Sequence, residues 1–248
     1  MAPEMSAILQ GLVEQGTRLG LDYHFLLDAY HRGNLLEGAL TTLWLCLTSI
    51  MGSLLVGMVL AAMLTSQQRW LRWPARAFVE VTRNTPTLVQ LYCAFLVLNM
   101  LLNQSLGNAN PMTPFAWVVI VISLHKGAFH AEALRAGIEA VPPVTLEAAS
   151  SLALSRRQQL LEVQLPLALR FALPALVNNL IDLVKMTAVA SAIAVNDITY
   201  ASIMIWTQSD NVIELMILIL AFFGLLSFAV NCIGRALEAR LRMPGYGH

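Results

Sequence analysis

Long apolar runs separated by short polar stretches organise this chain. A helix rises about 1.5 Å per residue, so crossing a hydrocarbon core of about 30 Å takes roughly 20 apolar residues. Runs of that length lie at Leu40 to Leu64, Thr87 to Leu106, Phe115 to Ala133, Phe171 to Val195 and Val212 to Ile233. The first and last are almost free of charge. Polar groups spot the next two, and the run from Phe171 carries Asp182 and Lys185 in its middle. The pattern predicts an all-α membrane protein with five transmembrane helices. Ahead of them, residues 1 to 35 interleave Leu12, Val13, Leu19, Phe25, Leu26, Leu27 and Tyr30 with Glu14, Arg18, Asp22 and Asp28. That mixture suits a helix lying in the outer membrane interface. The opening MAPEMSAILQ places no basic region before an apolar stretch and does not read as a cleaved signal peptide.

Composition agrees with the pattern: 57% of residues are hydrophobic and 12% charged, and mean hydropathy is +0.66. The net charge is zero, which removes the case for a nucleic-acid-binding surface. Where the charges fall is more informative than their sum. Arg69, Arg72, Arg76 and Arg83 follow the first run, Arg135, Arg156, Arg157 and Arg170 follow the third, and Arg235, Arg240 and Arg242 follow the last. The connections Gln104 to Pro114 and Asn196 to Asn211 hold no Lys or Arg. The positive-inside rule makes the arginine-bearing loops cytoplasmic, and an odd number of spans puts the N-terminus outside and the C-terminus inside. Cys46, Cys93 and Cys232 lie in or beside spans without a C-x-x-C pair, so neither a disulfide framework nor a metal site is expected.

The longest arginine-bearing connection, residues 134 to 170, stops for a polar interlude. Pro142-Pro143 should break the helix leaving the third span. A new helix is expected from Thr145 as N-cap, with Glu147 in its first turn and Ala148, Ala149 and Ala153 presented outward. Ser155 and Gln158 have capping-box spacing, so a second short helix should start there and end near Pro166.

Glu147-Ala148-Ala149, three residues, Ala153, nine residues and then Val163-Gln164-Leu165-Pro166 resembles the EAA signature of bacterial ABC importer permeases, EAA-x3-G-x9-I-x-LP. Ala153 stands where that signature has Gly, and Val163 where it has Ile. A left-handed bend there would cost an alanine on the order of 1 kcal/mol. Arg83-Asn84-Thr85-Pro86-Thr87-Leu88-Val89-Gln90-Leu91 is similar to the RGTPLLVQL segment of polar amino-acid permeases, with Asn84 for Gly. Ala131-Glu132, Arg135, Gly137-Ile138 and Val141-Pro142 are similar to that family's approach to the EAA loop. Ala172-Leu173-Pro174, Asn178, Lys185 and Thr187 are similar to its ALPxxxNxxxxxxKxT segment, with Met186 where Asp or Ser is usual. The resemblance runs from about residue 35 to residue 235 and is nearest to histidine-permease M-type subunits.

This resemblance implies a five-span type I ABC importer permease in the bacterial cytoplasmic (inner) membrane. Residues 1 to 35 would be an outer interfacial segment, 36 to 240 the permease domain with its coupling loop at about 137 to 170, and 241 to 248 a cytoplasmic tail. It implies as partners a dimer of ATP-binding cassette subunits, a second permease subunit and an extracytoplasmic amino-acid-binding protein. Its cargo would be polar amino acids, basic ones first, or related derivatives. Glu147, Ala148, Ala149 and Ala153 would dock on the ATPase, while Arg156 and Arg157 either join them or only satisfy the positive-inside rule. The chain has no phosphate-cradling G-x-x-x-x-G-K-[ST] loop, so ATP and Mg would be used by the partner and no cofactor is expected here.

Charges at membrane depth are costly, at least about 2.5 kcal/mol each, and invite a functional reading. Asp182 and Lys185 either neutralise each other at i, i+3, or join Asn178, Asn179 and Thr187 on the wall of a polar cavity. Lys126 either lines that cavity or pairs across a subunit interface, and Gln90 is a further candidate for the route. His125 and His130, five apart, do not share a helical face as a metal pair would. Gly52, Ser53, Gly57 and Ala61 give the first span a face for close packing. The rivals are an intramembrane enzyme, for which no G-x-S-x-G or H-E-x-x-H is present, and a stand-alone secondary transporter, for which no internal repeat is visible. Neither accounts for the spaced EAA pattern.

Overall fold

The structure, a computed structural model, describes residues 2 to 241, with side-chain surroundings for all but residues 2 to 8, 12 and 108. The expected tail from residue 242 onward, Arg242 included, and the Leu12 side chain lie outside it. The described residues are helical almost throughout, and five helical stretches are long and apolar enough to cross a membrane.

Helix α1 spans Ala2–Arg18, and a 3-10 turn His24–Leu27 leads to α2, Ala29–Leu64. The Asp28 carboxylate caps α2 by accepting from the Tyr30 amide at 2.8 Å, so this helix begins well before the apolar run at Leu40. Helix α6, Pro114–Glu139, is capped by Thr113 and carries proline at its first position, where a missing N–H is harmless. The small face of α2 meets α6 within the chain: a side-chain carbon added to Gly57 would come 2.6 Å from the His130 Cβ. The expectation of close packing on that face holds, and its partner is the chain's own third span.

The second crossing is built in pieces. Helix α3, Arg69–Arg83, is followed by a break at Asn84 to Pro86, then α4, Thr87–Tyr92, a π-type turn Cys93–Leu98 and α5, Asn99–Leu106. Its neighbours show its depth. Ala75 and Val79 pack with Leu60, Ala61 and Leu64 of α2 and with Ala128 and Ala131 of α6. Thr87 reaches His125, and Asn99 accepts from the Trp117 indole at 3.2 Å. The path from α3 to α5 therefore runs antiparallel to α6, and α3 already packs against the last turns of α2 and the middle of α6 before the apolar run at Thr87 begins.

Beyond α6 the chain turns at Pro142 into α7, Pro143–Ser151, then α8, Arg156–Gln158, a π-type turn Gln159–Gln164 and α9, Leu165–Met186. The break at the proline pair is as expected, but two details differ. Pro142, not Thr145, is the N-cap, because Pro143 is preorganised for the first helical position. Glu147 consequently lies past the first turn. The helix from Arg156 also does not stop at Pro166. The wide turn over Gln159–Gln164 displaces the carbonyls that the proline ring would strike, so the helix continues into the membrane.

After α9, a 3-10 segment Thr187–Ile193 and a left-handed Ala194 lead to α10, Ile198–Ser209, and α11, Val212–Leu241. Phe25 and Leu35 pack with Ala201, Ile205 and Leu215, so the segment before α2 closes over α10 and the start of α11. The Asn211 amide donates to the Asp22 carbonyl and the Asp22 amide donates to Glu214 Oε1, both at 2.8 Å. The bundle thus has an α10 end and, opposite, an α7 end.

Candidate functional site

Helix α7 closes in a Schellman-type turn. Leu154 N–H donates to Ala149 O at 3.2 Å and Ala153 N–H to Ser150 O at 3.0 Å, with Ala153 at φ +57°. The bend is therefore as tight as a glycine would make it. Ser155 then caps the next helix, and its capping box with Gln158 is complete, as the spacing predicts. Glu147 and Ala148 are exposed, but Ala149, expected to face outward, is 4% exposed and packs into the chain. The outward row is Val144, Ala148 and Leu152, at 65% exposure for Val144 and 76% for Leu152. Their i, i+4, i+8 spacing in the sequence groups them on one helical face. Glu147, Arg156 and Arg157 enter no ion pair among the described residues.

A second constellation lies at mid-bundle. Asn178, Asp182 and Lys185 recur at i, i+4, i+7 on the exposed stripe of α9, with Asn179 half-buried beside them. The Lys126 ammonium, on a side chain only 3% exposed, pairs with Asp182 inside the same chain, while Lys185 Nζ stands 4.0 Å from the other Asp182 oxygen. Asp182 is thus shared between two lysines within the chain, so an Asp182–Lys185 pair alone does not describe the geometry. Phe129 sits between cations, with Lys126 Nζ 4.9 Å and the Arg83 guanidinium 5.2 Å from its ring centre. Glu132 accepts from Arg135 at 2.8 Å, the pair that i, i+3 spacing suggests.

Gln90 and Thr187 are placed differently. The Gln90 amide donates to Thr82 O at 2.9 Å and Thr85 Oγ1 at 2.6 Å across the α3/α4 break, and its oxygen faces His125 Nδ1 at 3.2 Å. That oxygen can only accept, so the imidazole donates from Nδ1 and takes the Thr87 hydroxyl on Nε2 at 3.0 Å. Gln90 and His125 together stitch the break. Thr187 is fully buried, donating to Val184 O and lying 3.7 Å from Cys46 Sγ.

The segment Asn196 to Asn211 carries Asp197, which caps α10 through the Tyr200 amide at 2.8 Å and is fully buried with one oxygen unpartnered. Burial pushes its carboxyl up to about 6. Its carbonyl lies where a side chain on Gly38 of α2 would fall, only 2.8 Å away, so α10 sits flush on α2.

Three comparisons bear on this architecture. A family profile described as binding-protein-dependent transport system inner membrane component matches residues 53–243. The glutamine transport system permease protein GlnP of Escherichia coli (strain K12) is 31% identical over 210 residues, 84% of this chain and 93% of that protein. The arginine transport system permease protein ArtQ of Bacillus subtilis (strain 168) is 29% identical over 208 residues, 84% of this chain and 92% of that protein. A crystal structure of an amino acid ABC transporter with histidines superposes with a TM-score of 0.77 at 28% identity, covering 87% of this chain and 98% of that one. An inward-facing MetNI methionine ABC transporter shares the fold at a TM-score of 0.69 and 18% identity, over 87% of this chain and all of that one.

Proposed function

The chain belongs to the family of binding-protein-dependent transport system inner membrane components, and from that premise we propose how its residues divide the work of an amino-acid importer. It is the multi-pass inner-membrane permease subunit, and ATP hydrolysis belongs to a separate subunit. The α7 end faces the cytoplasm, as the arginine-rich loops require, which leaves the N-terminus outside and the C-terminus inside. Residues 1 to 35 form the outer segment and 36 to 240 the permease domain. At the cytoplasmic face, Glu147 with the row Val144, Ala148 and Leu152 enters a groove on the ATPase, and Ala153 sets the angle at which α7 is offered. The single observation carrying this assignment is the left-handed turn at Ala153, which leaves an apolar row and an unpaired carboxylate exposed on a short helix at one end of the bundle. Arg156 and Arg157 flank that surface.

The substrate route passes the stripe Asn178, Asp182 and Lys185, with Asn179 beside it. Two lysines share one carboxylate there, leaving one uncompensated cation for a substrate carboxylate. Asp182 meets the amino group. Gln90 and Thr187 support the route by holding the α3/α4 break and the end of α9. Relatives named for glutamine and arginine support a polar amino acid as cargo. A second permease subunit completes the pathway, and an extracytoplasmic binding protein delivers to the α10 end.

The test is ATPase activity of the assembled transporter with and without the substrate-loaded binding protein. Glu147→Arg should reduce the stimulated rate at least about tenfold, equivalent to about 1.4 kcal/mol of coupling. Full stimulation in a folded variant would remove Glu147 from the coupling surface.

A further inference from the structure

We propose that the start of α3 is a binding site for an anionic phospholipid, with the headgroup at Arg69, Arg72 and Arg76 and the glycerol region against Trp70 and Trp73. The inference rests on the placement of the α7 end in the cytoplasm and goes beyond the transport reaction. Helix α3 carries four arginines against one glutamate, Glu80, which lies toward its far end. Ala75, Val79 and Thr82 fill its buried face, so successive 100° steps carry Arg69, Arg72 and Arg76 onto one flank and Trp70 and Trp73 onto the side facing away from the bundle. Trp70 is 71% exposed and Trp73 73%. The three arginines are exposed and enter no ion pair among the described residues. By contrast, Arg83 on the same helix and Arg135 on α6 both find Glu132.

Depth decides the occupant. Ala75 and Val79 pack against the last turns of α2, so Arg69 and Trp70 stand at the end of the apolar bundle, where tryptophan and arginine meet the headgroup layer. Deeper along the helix a groove of about 440 Å³ opens, lined by Phe78, Val81, Ala94, Val97, Leu98 and Val121. It is mostly apolar, with Thr82, Thr85 and Gln90 also in its lining, and it opens below Trp70 on the flank of α3 away from the arginines. A cationic flank beside an outward aromatic face fits one molecule with a negative head on the arginines and a hydrocarbon tail lying along the tryptophans. The negative surface of the cytoplasmic leaflet supplies such molecules.

The experiment is photo-crosslinking of the assembled transporter in bilayers holding equal mole fractions of diazirine-bearing phosphatidylglycerol or phosphatidylcholine, with labelled peptides mapped by mass spectrometry. Phosphatidylglycerol should label the peptide with Trp70 and Trp73 several times more than phosphatidylcholine does. Arg69→Gln, Arg72→Gln and Arg76→Gln should each lower that excess, and the triple variant should abolish it. In the unaltered protein, raising salt from about 50 mM to about 500 mM should shrink the same excess without any substitution. Equal labelling by the two lipids, an excess indifferent to both salt and the substitutions, or a peptide that no lipid labels because a protein subunit covers it, would each overturn the proposal. Cysteine accessibility at Ser66→Cys reads the orientation separately, and ATPase stimulation reads the transport assignment.

Discussion

Ala153 is where one side chain and the backbone disagree. The residue holds φ +57°, a region in which an L side chain costs on the order of 1 kcal/mol relative to glycine, yet the Schellman hydrogen bonds around it are intact. The family's glycine could therefore be lost without loss of the bend. Ala153→Gly should raise the stability of the coupling loop by about 1 kcal/mol, visible as slower exchange of the Leu154 amide, with ATPase coupling unchanged. The sequence made this position conspicuous, because a fixed spacing named it. It could not show that Ala149 turns inward while Val144 and Leu152 turn outward. Helical spacing groups Val144, Ala148 and Leu152 on one face, but which face turns inward is set by the packing of Ala149 in the folded chain.

Among the elements, apolar length located all five crossings but not their joints. The run at Thr87 is preceded by α3, which packs on α2 and α6 although its arginines and tryptophans look like a surface loop. Pro166 looks like a stop, but a π-type turn carries the helix past it. Neither feature has a hydropathy signature. The docking of α10 on α2 was equally invisible, since it depends on a glycine in one helix meeting a carbonyl of the other. It has a pH consequence. Asp197 is held neutral more readily in the folded chain than its ordinary value of 3.8 allows, with its carboxyl pushed up to about 6 by burial. The native state then binds more protons at this group than the unfolded one between those values, so the contribution of Asp197 to stability is full below about 3.8 and is lost as pH rises through about 6. Thermal unfolding should show the α10 contact weaker by about 1 kcal/mol at about pH 8 than at about pH 5. Asp197→Asn, which keeps the capping oxygen, should flatten that dependence.

For the whole molecule, the two ends are fastened unequally. At the α10 end, residues 22 to 35 are bound to α10 and α11 by an apolar cluster and by the hydrogen bonds of Asp22 with Asn211 and Glu214. At the α7 end, α7 rests chiefly on the turn that follows it, through Ala149 and the Schellman bonds. Stiffness is therefore graded along the bundle, and amide exchange should be slowest in α10 and the half of α2 packed against it and fastest in α7. A lever needs that gradient. The route from α7 to the far end of the bundle runs through α9 and α6, so the expected response to a push on the short helix is a tilt of those two shafts.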